Sequence, residues 1–290
     1  MHPSPCALAA ATSDVVLDLA TGRIEAAVGY SDAGQMVIGS GRHEVPFGIE
    51  GLLGNAYIGA GQPERTVEWC RAQLARGRDT HTFTRTSIVF ALAIAGSGEE
   101  ARAAATDLID AAEAARNPHV LAFALSAYGL AFRDADPHRA VEARRRGLAI
   151  AQDSGNRIIE TTLAAGLSSF EAKYGDPTTA FDYVTVAIRH YHESGNTFMI
   201  GIPLAVLAAL FDRLGRHEPA ATIAGFAFNP PTAGVVPEIS TAVAHLRHVL
   251  GDHIYESLAR EGQTMTTAAM ARYAYDQMDQ ARTELNTVSK

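Results

Sequence analysis

The chain has 290 residues and a mass of 30.8 kDa, with 47% hydrophobic and 19% charged residues and a mean hydropathy of +0.01. That balance excludes wholesale disorder and the collagen-like, disulfide-rich and coiled-coil classes. No run reaches the roughly 18–20 apolar residues a membrane helix needs. A net charge of −8 weighs against a chain that grips a nucleic-acid backbone, and 53 alanines against only 7% aromatic residues favour closely packed helices.

Residues 1–45 are the least regular part: 6–20 read as a helix, whereas 23–38 carry Gly29 and Gly34, which weaken a continuous one. From 46 to 229 the pattern is one of about five helical hairpins. They pair 47–60 with 63–76, 80–95 with 98–115, 118–133 with 137–153, 157–174 with 177–193, and 197–214 with 217–228. Leu121, Ala124, Leu125, Tyr128 and Ala131 follow helical spacing, as do Phe181, Val184, Ala187, Ile188 and Tyr191. Prolines and glycine then predict a break over 230–236. Two closing helices, 237–260 and 265–286, form a capping pair over 237–290. Thr264 is placed to cap the second, whose apolar face carries Ala271, Ala274, Tyr275, Met278, Ala281 and Leu285.

A forty-residue register underlies the hairpins. Asp136-Pro137 recurs as Asp176-Pro177, Ser154-Gly155-Asn156 as Ser194-Gly195-Asn196, and Ala140 maps onto Ala180 and Ala220. Asp caps free backbone N–H groups and Pro suits the first helical position. Gly and Asn tolerate the left-handed conformation of a helix end. A unit of helix, short turn and helix buries its apolar face only by stacking on neighbours. This replaces a two-domain reading of the length with one elongated array.

Chemistry is sparse. Cys6 and Cys70 form no CxxC or metal-ligand spacing, and Cys70 beside Trp69 reads as a buried small hydrophobe. No secretory leader is evident, so a cytoplasmic setting is expected. His245 and His248, with His253 and Glu256 further on, are the nearest approach to a metal set, but the spacing spans Gly251. Asp107, Asp110 and Glu113 read as one polar helix face. There is no GxSxG elbow and no phosphate-binding GxxxxGK[ST] loop, and the only lysines are Lys173 and Lys290. No catalytic residue, cofactor or metal is therefore expected. The one basic cluster is Arg139, Arg144, Arg145 and Arg146, whose three adjacent arginines point in three directions around a helix and form no flat phosphate-binding face. The candidate partner-binding residues are the clustered aromatics Tyr128, Phe132, Phe170, Tyr174 and Tyr183, flanked by Arg144 and Arg145.

Two features carry a family resemblance: the forty-residue hairpins, and the tail Leu250-Gly251-Asp252, Tyr255-Glu256, Leu258-Ala259-Arg260-Glu261-Gly262, Met265-Thr266 and Ala274-Tyr275-Asp276-Gln277. The hairpins resemble tetratricopeptide repeats. The tail resembles the segment closing the helical-repeat region of large actinobacterial, especially mycobacterial, AAA-type ATPase signalling proteins, which carry adenylate or guanylate cyclase domains or LuxR-type DNA-binding domains. The resemblance spans about residues 45–287. The family's ATPase, cyclase and DNA-binding residues have no matching positions here, so the chain looks like the repeat region alone, as a truncated gene, a stand-alone paralogue or a fragment.

The expectation is thus an all-α, tetratricopeptide-like array of helical hairpins forming a right-handed superhelix with C-terminal capping helices. It would act as a non-catalytic interaction or sensor module of a cytoplasmic signalling or transcriptional regulator. Its partner would be a protein, an upstream ATPase or output domain, or a small-molecule effector held on the concave face, with no direct nucleic-acid or membrane contact. The alternatives are an enzyme with an unrecognised site in the array and a self-associating structural module.

Overall fold

The computed structural model describes residues 5–39, 49–77 and 82–288, and every regular element among them is a helix. In chain order these are α1 (Pro5–Ala20), α2 (Ile24–Gly39), α3 (Ile49–Gly59), α4 (Pro63–Ala75), α5 (Phe83–Ile94), α6 (Gly98–Ala104), α7 (Leu108–Ala114), α8 (Pro118–Ala131) and α9 (Pro137–Asp153). They continue with α10 (Arg157–Tyr174), α11 (Pro177–Glu193), α12 (Gly201–Arg213), α13 (His217–Ala227), α14 (Pro230–Val235), α15 (Glu238–Leu250), α16 (Asp252–Thr264) and α17 (Thr267–Val288). The chain divides into two compact units, residues 1–160 and 161–290, the division falling within α10. No helix among the described residues is long and apolar enough to cross a membrane.

The forty-residue register acts through local capping. Asn117 Oδ1 accepts from the backbone N–H of His119 (3.0 Å), Asp136 Oδ1 from that of Arg139 (3.1 Å), and Asp176 Oδ2 from that of Thr179 (2.8 Å). Each precedes a proline, which has no N–H to satisfy. Gly155 and Gly195 end the preceding helices at φ +67° and +69°, and Asn156 and Asn196 then cap forward, accepting from the N–H groups of Ile159 and Met199. Ala140, Ala180 and Ala220 are buried, as close helix approach requires.

In the first unit successive helices pack as neighbours from α1 through α5, and α8 packs on α5, α7 and α9. The core includes Leu53, Tyr57, Trp69, Cys70, Val89 and Leu108. Despite its glycines, 24–39 is helical: a Cβ on Gly34 would meet Leu53, so the missing side chain lets α2 approach α3. Residues 40–48, which include the start of the expected first hairpin, lie outside the described residues.

The expected helix over 98–115 is broken. Asp107 takes φ +58° and separates α6 from α7, while Arg85 donates to the Thr106 carbonyl (3.2 Å) that the break releases. Thr and Asp compete for backbone hydrogen bonds and favour such interruptions. The expected helix over 237–260 is likewise two helices, α15 and α16, joined through Gly251 at φ +77°. The Pro/Gly stretch 230–236 folds as the short α14, because Asn229 Oδ1 accepts from the Thr232 N–H (2.9 Å) and the prolines occupy its first turn. Thr264 does not cap α17: its hydroxyl donates to the Glu261 carbonyl, and Thr266 Oγ1 accepts from the Ala269 N–H instead.

In the second unit α12 is the apolar hub, with Leu204, Leu207 and Phe211 fully buried, and it packs on α11, α13, α14 and α15. Helix α16 lies on α13 and α17 on α11 and α13. A Cβ on Gly262 would land on the Thr222 carbonyl oxygen, and one on Gly225 on the Ala259 backbone, so α13 and α16 meet backbone to backbone. Met270, Ala271, Ala274, Met278 and Ala281 form the buried face of α17.

Candidate functional site

Most of the clustered aromatic and arginine candidates that come together do so in the first unit. Helices α6, α7, α8 and α9 border an open groove of about 580 Å³, lined by the apolar side chains of Ala105, Ile109, Leu125 and Ala143. Tyr128 and Phe132, four residues apart on and just after α8, stack at 4.4 Å between ring centroids. The Arg139 guanidinium lies over both, 5.0 Å from the Tyr128 centroid and 4.7 Å from that of Phe132. Arg102 and Arg146 bring further cationic charge, and Asp107, Asp110 and Glu142 bring anionic charge.

The break before α7 makes this rim. Asp107 and Asp110 line the groove, whereas Glu113 accepts an ion-paired hydrogen bond from Arg146 Nη2 at 2.5 Å. The expected single acidic face over 107, 110 and 113 is therefore divided between two jobs. Arg139 makes no ion pair among the described residues, which leaves its guanidinium edge able to meet an anion while its face rests on the rings. Burial pushes the Tyr128 hydroxyl above its ordinary pKa, and Arg139 works against that rise, so the phenol is neutral and remains a hydrogen-bond donor near pH 7.

Of the sequence-derived candidates, Tyr128 and Phe132 line this groove. Arg144 does not: it is only 6% exposed, packed beneath the α8–α9 crossing against Gly129. Burial, with Arg133 adding in the same direction, pushes its guanidinium down to about 10. The expected solvated flank is thus a buried cation, because α9 turns that position toward α8. Arg145 is exposed and is not among the groove's lining residues. Phe170, Tyr174 and Tyr183 belong to the second unit. The rings of Phe170 and Tyr174 are tilted at 5.4 Å with Lys173 over Tyr174, and Tyr183 is half-buried on α11. Of the basic cluster, it is Arg139 and Arg146 that line the groove, because their spacing with Glu142 and Ala143 over two turns places all four on one face of α9.

The histidine set weighed from spacing alone does not assemble. Glu256 pairs with Arg247, and His248 and His253 are exposed. His245 instead places Nδ1 2.8 Å from Asp212 Oδ1. The second unit also has a hollow of about 450 Å³ between α11 and α17, bordered by Arg189, His192, Glu193, Tyr275, Asp279 and Arg282. Comparisons with protein-family models and with curated proteins find no match to the chain.

Proposed function

We propose that the chain is a non-catalytic interaction module that holds a short segment of a partner protein in the α6–α9 groove. The supporting observation is Arg139, a cation without an ion-pair partner among the described residues, seated on the Tyr128–Phe132 stack. An apolar side chain of the segment would rest on Ile109, Leu125 and the rings, and a carboxylate would meet Arg139. The mixed rim of Arg102, Arg146, Asp107, Asp110 and Glu142 would fix its direction. The tetratricopeptide-like superhelix, the cytoplasmic setting and the place in an ATPase-linked signalling or transcriptional regulator belong to the same reading. They rest on the forty-residue register and on the tail resemblance. A groove open to solvent and rimmed by balanced charges favours recognition over chemistry.

The test is selection of peptides from a random display library on the full chain, with affinities measured by fluorescence polarisation. Enriched peptides should carry an acidic residue beside an apolar one. They should bind Arg139→Glu at least tenfold more weakly, and Arg189→Glu, in the second unit, unchanged. Equal binding to both variants, or no enrichment, would refute the groove as the site.

A further inference from the structure

Helix α12 ends at Arg213 and α13 begins at His217, with Gly215 at φ +75° making the tight turn between them. Asp212, in the last turn of α12, and His217, the first residue of α13, therefore flank one turn. Helix α15 packs against both helices and brings His245 to the same place. One ligand-competent atom from each of Asp212, His217 and His245 falls within 4.8 Å of the others. The imidazoles of His217 and His245 have centroids 5.7 Å apart.

We propose that Asp212, His217 and His245 bind a divalent transition-metal ion, of which zinc is the type. Two imidazoles and one carboxylate suit zinc, cobalt, nickel or copper and disfavour magnesium and calcium, which prefer all-oxygen shells. Tetrahedral zinc with bonds of about 2.0–2.1 Å has ligand atoms roughly 3.3 Å apart. The 2.8 Å separation of His245 Nδ1 and Asp212 Oδ1 is close to that edge, and a nitrogen of His217 lies within 4.8 Å of a ligand atom of each. Asp212 is buried and offers a carboxylate fixed in position, while the His245 side chain is half exposed and gives an ion direct entry. The nearby cation Arg216 is turned away, donating to Gln277 and Gln280 and pairing with Glu284. Three protein ligands leave a coordination position for water or for a donor from another molecule. A bound ion would tie α12, α13 and α15 together. This inference is independent of the groove, which lies in the other unit.

The test uses the full chain without an affinity tag. Zinc titrated against a chromophoric chelator should show one tight equivalent per chain, and cobalt should give the intense visible absorption of a low-symmetry, four-coordinate site. His245→Gln, at an exposed position, and His217→Gln, at a half-buried one, should keep the helical circular dichroism and each weaken zinc at least tenfold. Asp212→Asn should do the same, and His253→Gln should bind as the unaltered chain does. Zinc should also raise Tm in the unaltered chain and not in His217→Gln. Failure to compete for zinc, or a tight equivalent that survives His217→Gln and His245→Gln, would overturn the proposal.

Discussion

The two units each contain a helix crossing that depends on glycine, and the crossings are built differently. In the first unit Gly129 on α8 faces α9, where an added Cβ would meet Arg144 Cγ at 2.6 Å and the Ala140 carbonyl at 3.0 Å. In the second, Gly262 on α16 and Gly225 on α13 face backbone alone, at Thr222 and Ala259. One crossing is padded by the stem of a buried arginine, and the other has no padding, only backbone on backbone. The padded one also carries polar and aromatic side chains outward to a groove, whereas the bare one is a closure. Small residues alone do not announce a site; what they press against decides.

The largest expected effect separates the crossings by one substitution. Gly262→Ala drives a methyl group into a carbonyl that cannot move without its helix, so it should destabilise the second unit by about 3 kcal/mol or more. Gly129→Ala gains about 1 kcal/mol of helix propensity but sets its methyl group on Cγ of the buried Arg144, so it should cost about 1–2 kcal/mol, clearly less than Gly262→Ala. Urea unfolding followed by two signals checks this, because the sole tryptophan, Trp69, lies in the first unit and far-ultraviolet circular dichroism reports on both. In Gly262→Ala part of the helical signal should melt early while the Trp69 midpoint stays in place. Equal losses from the two substitutions would remove the distinction.

A smaller effect tests the second unit by pH. Burial pushes the Tyr191 hydroxyl up to about 12, partly offset by its hydrogen bond with Thr162. A phenol whose pKa is higher folded than unfolded contributes stability that is complete below pH 10 and lost as pH rises through 12. Two pH units correspond to on the order of 2–3 kcal/mol. Tyr191→Phe should be slightly less stable at pH 8, for the lost hydrogen bond. Its stability should then fall less between pH 10 and 12 than that of the unaltered chain, in denaturant midpoints followed by circular dichroism. Parallel pH profiles would mean that Tyr191 ionises without unfolding anything.

What could be read in advance was local. Asp136 and Asp176 could be read as caps because the bonds they make reach only three residues ahead. Cys70 and the alanine positions 140, 180 and 220 could be read as buried because helical spacing fixes which face turns inward. The break at Asp107 was out of reach, since the carbonyl it frees is satisfied by Arg85, 21 residues away in sequence. Arg144 misled for the same reason. Its burial follows from Gly129 giving it room, a fact of the α8–α9 pairing and not of either helix alone. The groove was half legible: the Tyr128–Phe132 pair lies within one turn, but Arg139 joins it only when α9 folds back. Asp212, His217 and His245 meet through tertiary packing across 33 residues, and no spacing rule covers that.

The smallest effect compares the same cap in the two units. Asp136 accepts one backbone N–H at 3.1 Å, whereas Asp176 accepts the Thr179 N–H at 2.8 Å and the Thr179 hydroxyl at 2.9 Å. Either substitution to alanine should cost about 1 kcal/mol, with Asp176→Ala the dearer because it removes two hydrogen bonds rather than one. The two are distinguishable by acid. The bonds from Thr179 hold the Asp176 carboxyl below its ordinary pKa, and a carboxyl depressed in the folded state contributes stability that is present above the unfolded value and lost as pH falls through the folded one. The difference between the unaltered chain and Asp176→Ala should therefore be full at pH 7, shrink below about pH 4, and vanish once the folded-state carboxyl is protonated. Urea midpoints at pH 7, 4 and 3 read this directly. A gap of the same size at all three would show that the neutral acid caps α11 as well as the carboxylate, which would make the charge at this joint irrelevant and leave geometry alone to distinguish the two caps.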